Sequence, residues 1–335
     1  MQWSRIWLLL ALTGCDQRGL TTSPDLPATW RRDAGVDAFV PDAQWPVDWP
    51  SFCKHPPVVK SCTDGWCRVP AGCFLMGAPD PGPCHFPASA HAVTLTRSFE
   101  IMATEVTQGQ FATVMGYNES QFINCGATCP VERVTWHEAA VYSNKLSVKA
   151  QLETCYTCSG GPPPGVPYRC TEEARFQKPG MSILDCQGYR LPTEAEFEYA
   201  TRAGTSTAFY SGPLPPADCD DCATINGPTT PGADAIAWYQ ANSHETTHPV
   251  GQKLANGWGL YDMSGNVEEW AHDGFMTDLG TTPVVDPVGD VTCIDHPVRS
   301  GSYASCNEHV ISSQRGNGGN STRIKTVGFR LARSL

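Results

Sequence analysis

GYRLPTEAEFEYATRAG, residues 188–204, combines a turn, a cap and a short helix in one run. Thr193 followed by Glu196 is a capping box, in which each side chain satisfies a backbone N–H that the helix start leaves unpaired. Pro192 precedes the cap and Gly204 can end the helix. Ala195, Phe197 and Ala200 alternate with Glu194, Glu198, Thr201 and Arg202, so the pattern predicts a helix that buries one narrow face and shows acid on the other.

Two further capping boxes lie upstream. Thr107 and Gln110 open a helix within the segment from Thr104 to Met115, and Thr135 and Glu138 open another from Trp136 to about Ala150. In the second, Trp136, Ala139, Ala140, Tyr142, Ser143 and Leu146 fall to one side for packing. VPAGCFLMGAPD, from Val69, alternates enough to predict a strand. Between Glu153 and Cys186 lies a Cys-rich insertion whose Gly160-Gly161-Pro162-Pro163-Pro164 can be neither helix nor central strand, so disulfides must hold it. The remaining elements are short, which predicts an α+β fold with much irregular backbone.

Of the 335 residues, 41% are hydrophobic and 17% charged, enough for one substantial core and incompatible with disorder throughout. Formal net charge is −11 with 23 Lys and Arg, and no basic run exceeds Arg31-Arg32. A sequence-independent grip on phosphate is therefore not expected, and nucleic acid is not an expected partner.

Arg5, an apolar stretch from Ile6 to Leu12 and then Leu12-Thr13-Gly14-Cys15 read as an export signal too short to span a bilayer. Leu-Thr-Gly-Cys resembles the bacterial lipobox, which implies lipidation of Cys15 and attachment to a membrane of the cell envelope, on the periplasmic side or at the outer membrane. Residues 16–52, rich in Pro, Asp, Ala and Thr, form a tether with a reach of roughly 35 Å. Residues 53–335 form one domain without internal repeats, with the insertion at about 153–186.

Sixteen cysteines in an exported chain predict disulfides. Without Cys15 the count is odd, which implies a free or intermolecular thiol, and spacing alone does not give the connectivity. The pairs Cys155/Cys158 and Cys219/Cys222 have zinc-site spacing, but export and their distance apart favour oxidation. His244-Glu245-Thr246-Thr247-His248 matches the zinc-protease pattern H-E-x-x-H, which needs both histidines on one helical face. Pro249 biases His248 away from helical angles, so a loop is expected instead.

Four blocks, in order along the chain, carry a resemblance: FLMG at Phe74, RLPTEAEFEYA at Arg190, NGWGLYDMSGNVEEW at Asn256, and RSGSYAS at Arg299 followed by GFRLA at Gly328. They resemble the formylglycine-generating enzyme family, also called sulfatase-modifying factors, with Phe197 where Trp is usual. The resemblance implies a C-type-lectin-like variant of the α+β class. It also implies a calcium site of Asp262, the carbonyls of Gly265 and Val267, and Glu269. Asn242 and the Ser243 carbonyl match the start of a second calcium site whose remaining ligands have no clear counterpart. Calcium prefers six to eight oxygen ligands, and a Gly-containing turn can aim its carbonyls inward.

Active members of that family oxidise a substrate cysteine with Cu(I) held by two thiolates. Here Ser305 occupies the first cysteine position, Cys306 follows one residue late, and no cysteine comes after it. A serine hydroxyl is a hard, poor ligand for Cu(I), so calcium is the expected cofactor and copper is not. Cys306 remains the candidate catalytic residue if an oxidase survives, and pairing with Cys293 is the expected alternative. Ser302, Tyr303, Ser305 and Arg315 match the family's substrate groove, although Ser302 fits a turn and Arg315 a core ion pair equally well. Glu268 replaces an aromatic common in the calcium segment. The resulting expectation is a binding or scaffold module for a protein or peptide in the envelope, with formylglycine-generating oxidation of a sulfatase-type substrate as the alternative.

Overall fold

The computed structural model describes residues 55–78, 90–162, 165–215 and 230–335. The export signal with Cys15, the tether and the Cys219/Cys222 pair lie outside them. Two short strands, β1 (Cys62–Thr63) and β2 (Trp66–Val69), open the domain. Then come β3 (Gly72–Met76), β4 (His91–Leu95), β5 (Phe99–Met102), α1 (Gln108–Met115) and α2 (Trp136–Lys149). The insertion contributes β6 (Tyr156–Ser159) and β7 (Arg169–Glu172), and is followed by β8 (Tyr189–Arg190), α3 (Glu194–Arg202) and α4 (Pro231–Ile236). The C-terminal part holds β9 (Glu268–Trp270), β10 (Val284–Val285), β11 (Asp295–Arg299), β12 (Gly316–Gly319), β13 (Val327–Gly328) and β14 (Ala332–Ser334). The architecture is α+β with few helices, several small sheets and long irregular connections.

All three capping boxes form, with Thr107, Thr135 and Thr193 as caps. The strand expected across VPAGCFLM is broken. Proline offers no N–H to a ladder, and the chain leaves one sheet at Val69 to enter another at Gly72 after Pro70-Ala71. The main sheet runs β1-β2-β5-β14-β8, so the last strand of the chain lies between β5 and β8 with Ala332 opposite both Ile101 and Arg190. A second sheet, β12-β11-β9-β13, joins the calcium-type segment to the RSGSYAS block, with Arg299 opposite Glu269 and Gly328 beside Glu269. β10, β4 and β3 form a third sheet.

Two large apolar clusters fill the domain. One gathers Trp136, Trp270, Phe111 and Phe329 around α1 and α2; the other packs Phe197, Tyr199, Trp258 and Phe74 beneath α3. The insertion is a hairpin of β6 and β7 held by Cys155–Cys186 and Cys158–Cys170. The first Cys-x-x-Cys pair thus splits between two disulfides, as oxidation predicts. Cys62–Cys67 and Cys125–Cys129 also form, and no described cysteine is free. Among the described residues no helix is long and apolar enough to cross a membrane.

Candidate functional site

The acidic face expected on α3 does not exist: all nine helix residues are buried. Burying three carboxylates is unfavourable unless each finds a partner, and each here takes arginine. Arg190 grips Glu196 through Nη1 and Nη2 at 2.7 and 2.8 Å. Arg202 and Arg299 share Glu198 at 2.9 and 2.6 Å, and Arg299 also reaches Glu194 at 3.1 Å. Arg315 pairs with Glu194 through Nε and Nη2 and donates to the Met276 carbonyl at 2.8 Å. Burial pushes the Glu194 and Glu198 carboxyls up, but the neighbouring guanidiniums outweigh it and hold both below the usual carboxylate range. Arg315 is thus engaged by a core carboxylate.

The segment from Asp262 to Trp270 lies across β9 and the loop before it. Asp262, Gly265 and Asn266 all adopt left-handed φ values, 53°, 76° and 61°. A Cβ at position 265 would collide with the Trp238 carbonyl oxygen, so only glycine fits that turn. Asp262 is 1% exposed; its Oδ2 accepts the Gly251 N–H at 2.7 Å, while Oδ1 is buried without a hydrogen-bond partner. The Val267 carbonyl accepts from Ser300 Oγ at 2.8 Å. Glu269, fully buried, accepts from Arg330 Nε and Nη2, both at 2.7 Å. Arg330 also donates to the carbonyls of Met102, Tyr261 and Asp262.

Glu105 completes this cluster. Also fully buried, it accepts from Asn266 Nδ2 at 3.0 Å and from the Val267 N–H at 3.2 Å. Three carboxylates therefore surround one guanidinium. Burial raises the pKa of Glu105 well above its ordinary value, and Asp262 and Glu269 add to the rise. Burial likewise lifts Asp262 and Glu269 in spite of Arg330. The partnerless oxygen of Asp262 beside two further carboxylates is the kind of donor a hard divalent cation takes, although Arg330 already engages Glu269 and Ser300 the Val267 carbonyl.

Asn242 and Ser243 are already engaged. Asn242 Oδ1 accepts the Tyr239 N–H at 2.9 Å and its amide donates to Asp234 and the Ala237 carbonyl. The Ser243 carbonyl meets His248 Nε2 at 2.8 Å. The H-E-x-x-H run is a loop, with His244 and Glu245 both left-handed and His248 stacked on Trp238 at 3.8 Å between ring centroids. It cannot present two histidines on one helical face.

The groove residues form a tight turn. Gly301, at φ 67°, allows it, since a Cβ there would strike the His309 carbonyl. The Ser305 hydroxyl accepts the Ser302 N–H at 3.0 Å and lies 3.2 Å from Ser302 Oγ. Ser302 and Tyr303 are each 2% exposed, with Tyr303 packed edge-on against Phe122. Cys306, the candidate catalytic thiol, is disulfide-bonded in this structure, and so is Cys293. A disulfide sulfur is neither a nucleophile nor a thiolate ligand, so the one cysteine near the expected copper position has no thiol to contribute.

Sequence reasoning missed Glu105 and Arg330. Both stand in or beside recognisable blocks, TEVTQ and GFRLA, but nothing local announces a partner 161 residues away for Glu105 or 61 residues away for Arg330.

Comparison with known proteins agrees with this architecture. Residues 54–335 match the model of the sulfatase-modifying factor enzyme 1-like domain. The chain is 37% identical over 195 residues to "Chaperone protein LppX" of Paenibacillus barcinonensis, covering 53% of this chain and 62% of that relative. It is 31% identical over 298 residues to the formylglycine-generating enzyme of Streptomyces coelicolor, covering 81% and 89%. Among solved structures, Treponema denticola variable protein 1 superposes with a TM-score of 0.63 at 30% identity, covering 84% of this chain and all of that one. The chain belongs to the sulfatase-modifying factor (formylglycine-generating enzyme) family.

Proposed function

We propose that this chain is a cell-envelope lipoprotein, anchored through Cys15, whose sulfatase-modifying-factor domain is a calcium-stabilised binding or scaffold module for a protein or peptide partner. It works without copper-dependent oxidation. The observation that carries this reading is the turn from Ser302 to Cys306. The hydroxyl at the first thiolate position is spent on the Ser302 N–H, and the adjacent cysteine is locked in a disulfide. Cu(I) needs soft thiolates, and this turn offers none.

The likeness to a protein named a chaperone supports a role in handling another polypeptide. Calcium would be held by Asp262, the carbonyls of Gly265 and Val267, and Glu269, and would supply the positive charge that Arg330 alone leaves short. It would tie the loop before β9 to the chain terminus without taking part in a reaction.

Cu(I) titration of the purified protein, with oxygen uptake measured on a cysteine-containing sulfatase peptide, tests the reading. We expect no tight copper site, no oxygen uptake and no aldehyde; tight copper binding with aldehyde formation would overturn the proposal in favour of the parent oxidase. Labelling cells with a radioactive fatty acid tests the anchor, since label should enter the wild type and not Cys15→Ser.

A further inference from the structure

Just past the Ser302–Ser305 turn, a single 3-10 turn spans Asn307–His309. It brings together three side chains of different chemistry. Cys306 Sγ, a Glu308 carboxylate oxygen and a His309 imidazole nitrogen all lie within 4.8 Å of one another, and all three residues are partly exposed. His309 Nε2 stands 3.9 Å from Glu308 Oε1. Ligand atoms around tetrahedral zinc sit about 3.3–3.6 Å apart, given metal–ligand distances of roughly 2.0–2.3 Å. Metal binding would draw the His309 ring, whose side chain is 44% exposed, closer to Glu308 in exchange for contacts both residues make in this structure. With Cys306 oxidised the set lacks its thiolate.

We propose that reduction of the Cys306 disulfide by an external dithiol opens a zinc-type site, made of the Cys306 thiolate, the Glu308 carboxylate and the His309 imidazole, with a fourth position left to water. The exchange balances. A thiolate of the dithiol attacks the sulfur bonded to Cys306 and expels the Cys306 thiolate; the second thiol of the dithiol then frees the other protein sulfur and leaves as a cyclic disulfide. Two electrons pass from dithiol to protein, and the metal takes Cys306 as thiolate while its proton goes to solvent. A mixed S, N and O set favours a borderline cation over calcium, which wants oxygen alone, and over Cu(I), which wants paired sulfur.

Cys306 itself is partly exposed. Each of the four bridges between described cysteines has at least one nearly inaccessible residue, with Cys67, Cys129, Cys155 and Cys186 at 0% and Cys170 at 4% exposure. The site uses neither the calcium segment nor a catalytic cycle, but it shares Cys306 with the scaffold reading, which takes that residue in its oxidised form.

The test uses the full folded chain, oxidised or briefly treated with a metal-free dithiol under native conditions, and titrates Co²⁺ and then Zn²⁺. Reduced protein should bind one equivalent of Co²⁺ with a thiolate-to-cobalt charge-transfer band that Zn²⁺ bleaches, and oxidised protein should show no band. His309→Ala and Glu308→Gln should each weaken binding about tenfold or more, and Cys306→Ser should abolish the band. A band that persists in Cys306→Ser, or equal affinity of the reduced wild type and His309→Ala, overturns the proposal. Loss of a cooperative melt on reduction does so as well, because the site requires the buried bridges to survive.

Discussion

Two clusters of buried charge lie in this domain, and they are balanced differently. Around α3, Glu194, Glu196 and Glu198 meet Arg190, Arg202, Arg299 and Arg315, and Glu194 and Glu198 are held below the ordinary carboxylate range. Around Arg330, Glu105, Asp262 and Glu269 share one guanidinium, and all three are pushed up. The first cluster is complete without any ligand. The second has three carboxylates for one guanidinium and a buried Asp262 oxygen with no hydrogen-bond partner, which is why the proposed calcium is assigned to it. Buried ion pairs thus close one region on itself and leave the other with more carboxylates than arginines.

Removing the central arginine from each should separate the two most sharply. Arg330→Met leaves three buried carboxylates without a counter-charge and should destabilise the domain by at least about 3–5 kcal/mol at neutral pH. Calcium or mild acid should restore part of that loss in thermal melts, because either one neutralises the carboxylates. Arg299→Met should cost somewhat less, about 3 kcal/mol, since Arg202 and Arg315 still serve Glu198 and Glu194. Acid should not rescue it. Equal rescue of both variants would mean that the two clusters do not differ in charge balance.

Calcium at a hundredfold excess over its Kd should stabilise the wild type by about 2.7 kcal/mol, and Asp262→Ala should lose that increment in calorimetry. In chelator, the raised carboxyl pKa values predict a definite sign. The folded state holds these protons more tightly than the unfolded chain, whose carboxyls titrate near 3.8 and 4.5. This contribution is therefore present in acid and fades as pH rises through the folded pKa values.

With calcium bound, the opposite slope should emerge from two histidines near Trp136. Burial lowers His137 to about 4 and His296 to about 3, against 6.5 when unfolded. Their contribution is present above pH 6.5 and is lost as pH falls towards those values. A melting temperature that rises on acidification below 6.5 with calcium saturating would contradict this. The smallest effect belongs to Ser305→Ala, which removes the acceptor for the Ser302 N–H and should cost about 1 kcal/mol in thermal melts, leaving calcium affinity unchanged.

Legibility varied along the chain for physical reasons. The capping boxes were readable because both partners sit three residues apart and the interaction is local. The hairpin insertion was readable because prolines exclude helix and oxidised cysteines must pair. The exposure of α3 was misread: its Glu and Arg residues imply a wet face, and only tertiary contacts with Arg299, Arg315 and Arg190 explain why that face is dry. The strand at VPAGCFLM was misread at Pro70, where a missing N–H ends the ladder. Asp262 and Glu269 are singled out through their block, whereas Glu105 and Arg330, which share their buried cluster, are not.

By itself the sequence determined the family, the α+β class, the helix starts and the absence of a second cysteine after Cys306, since each of these depends on residue identity or on neighbours a few positions apart. The tertiary structure decided which carboxylates are balanced and which are not. Arg330 reaches Glu269 only because β13 aligns beside β9 and β14 slots between β5 and β8. A charge balance is a sum over groups brought together from distant parts of the chain, and in a medium of low dielectric that sum, rather than any one residue, sets what the site can hold.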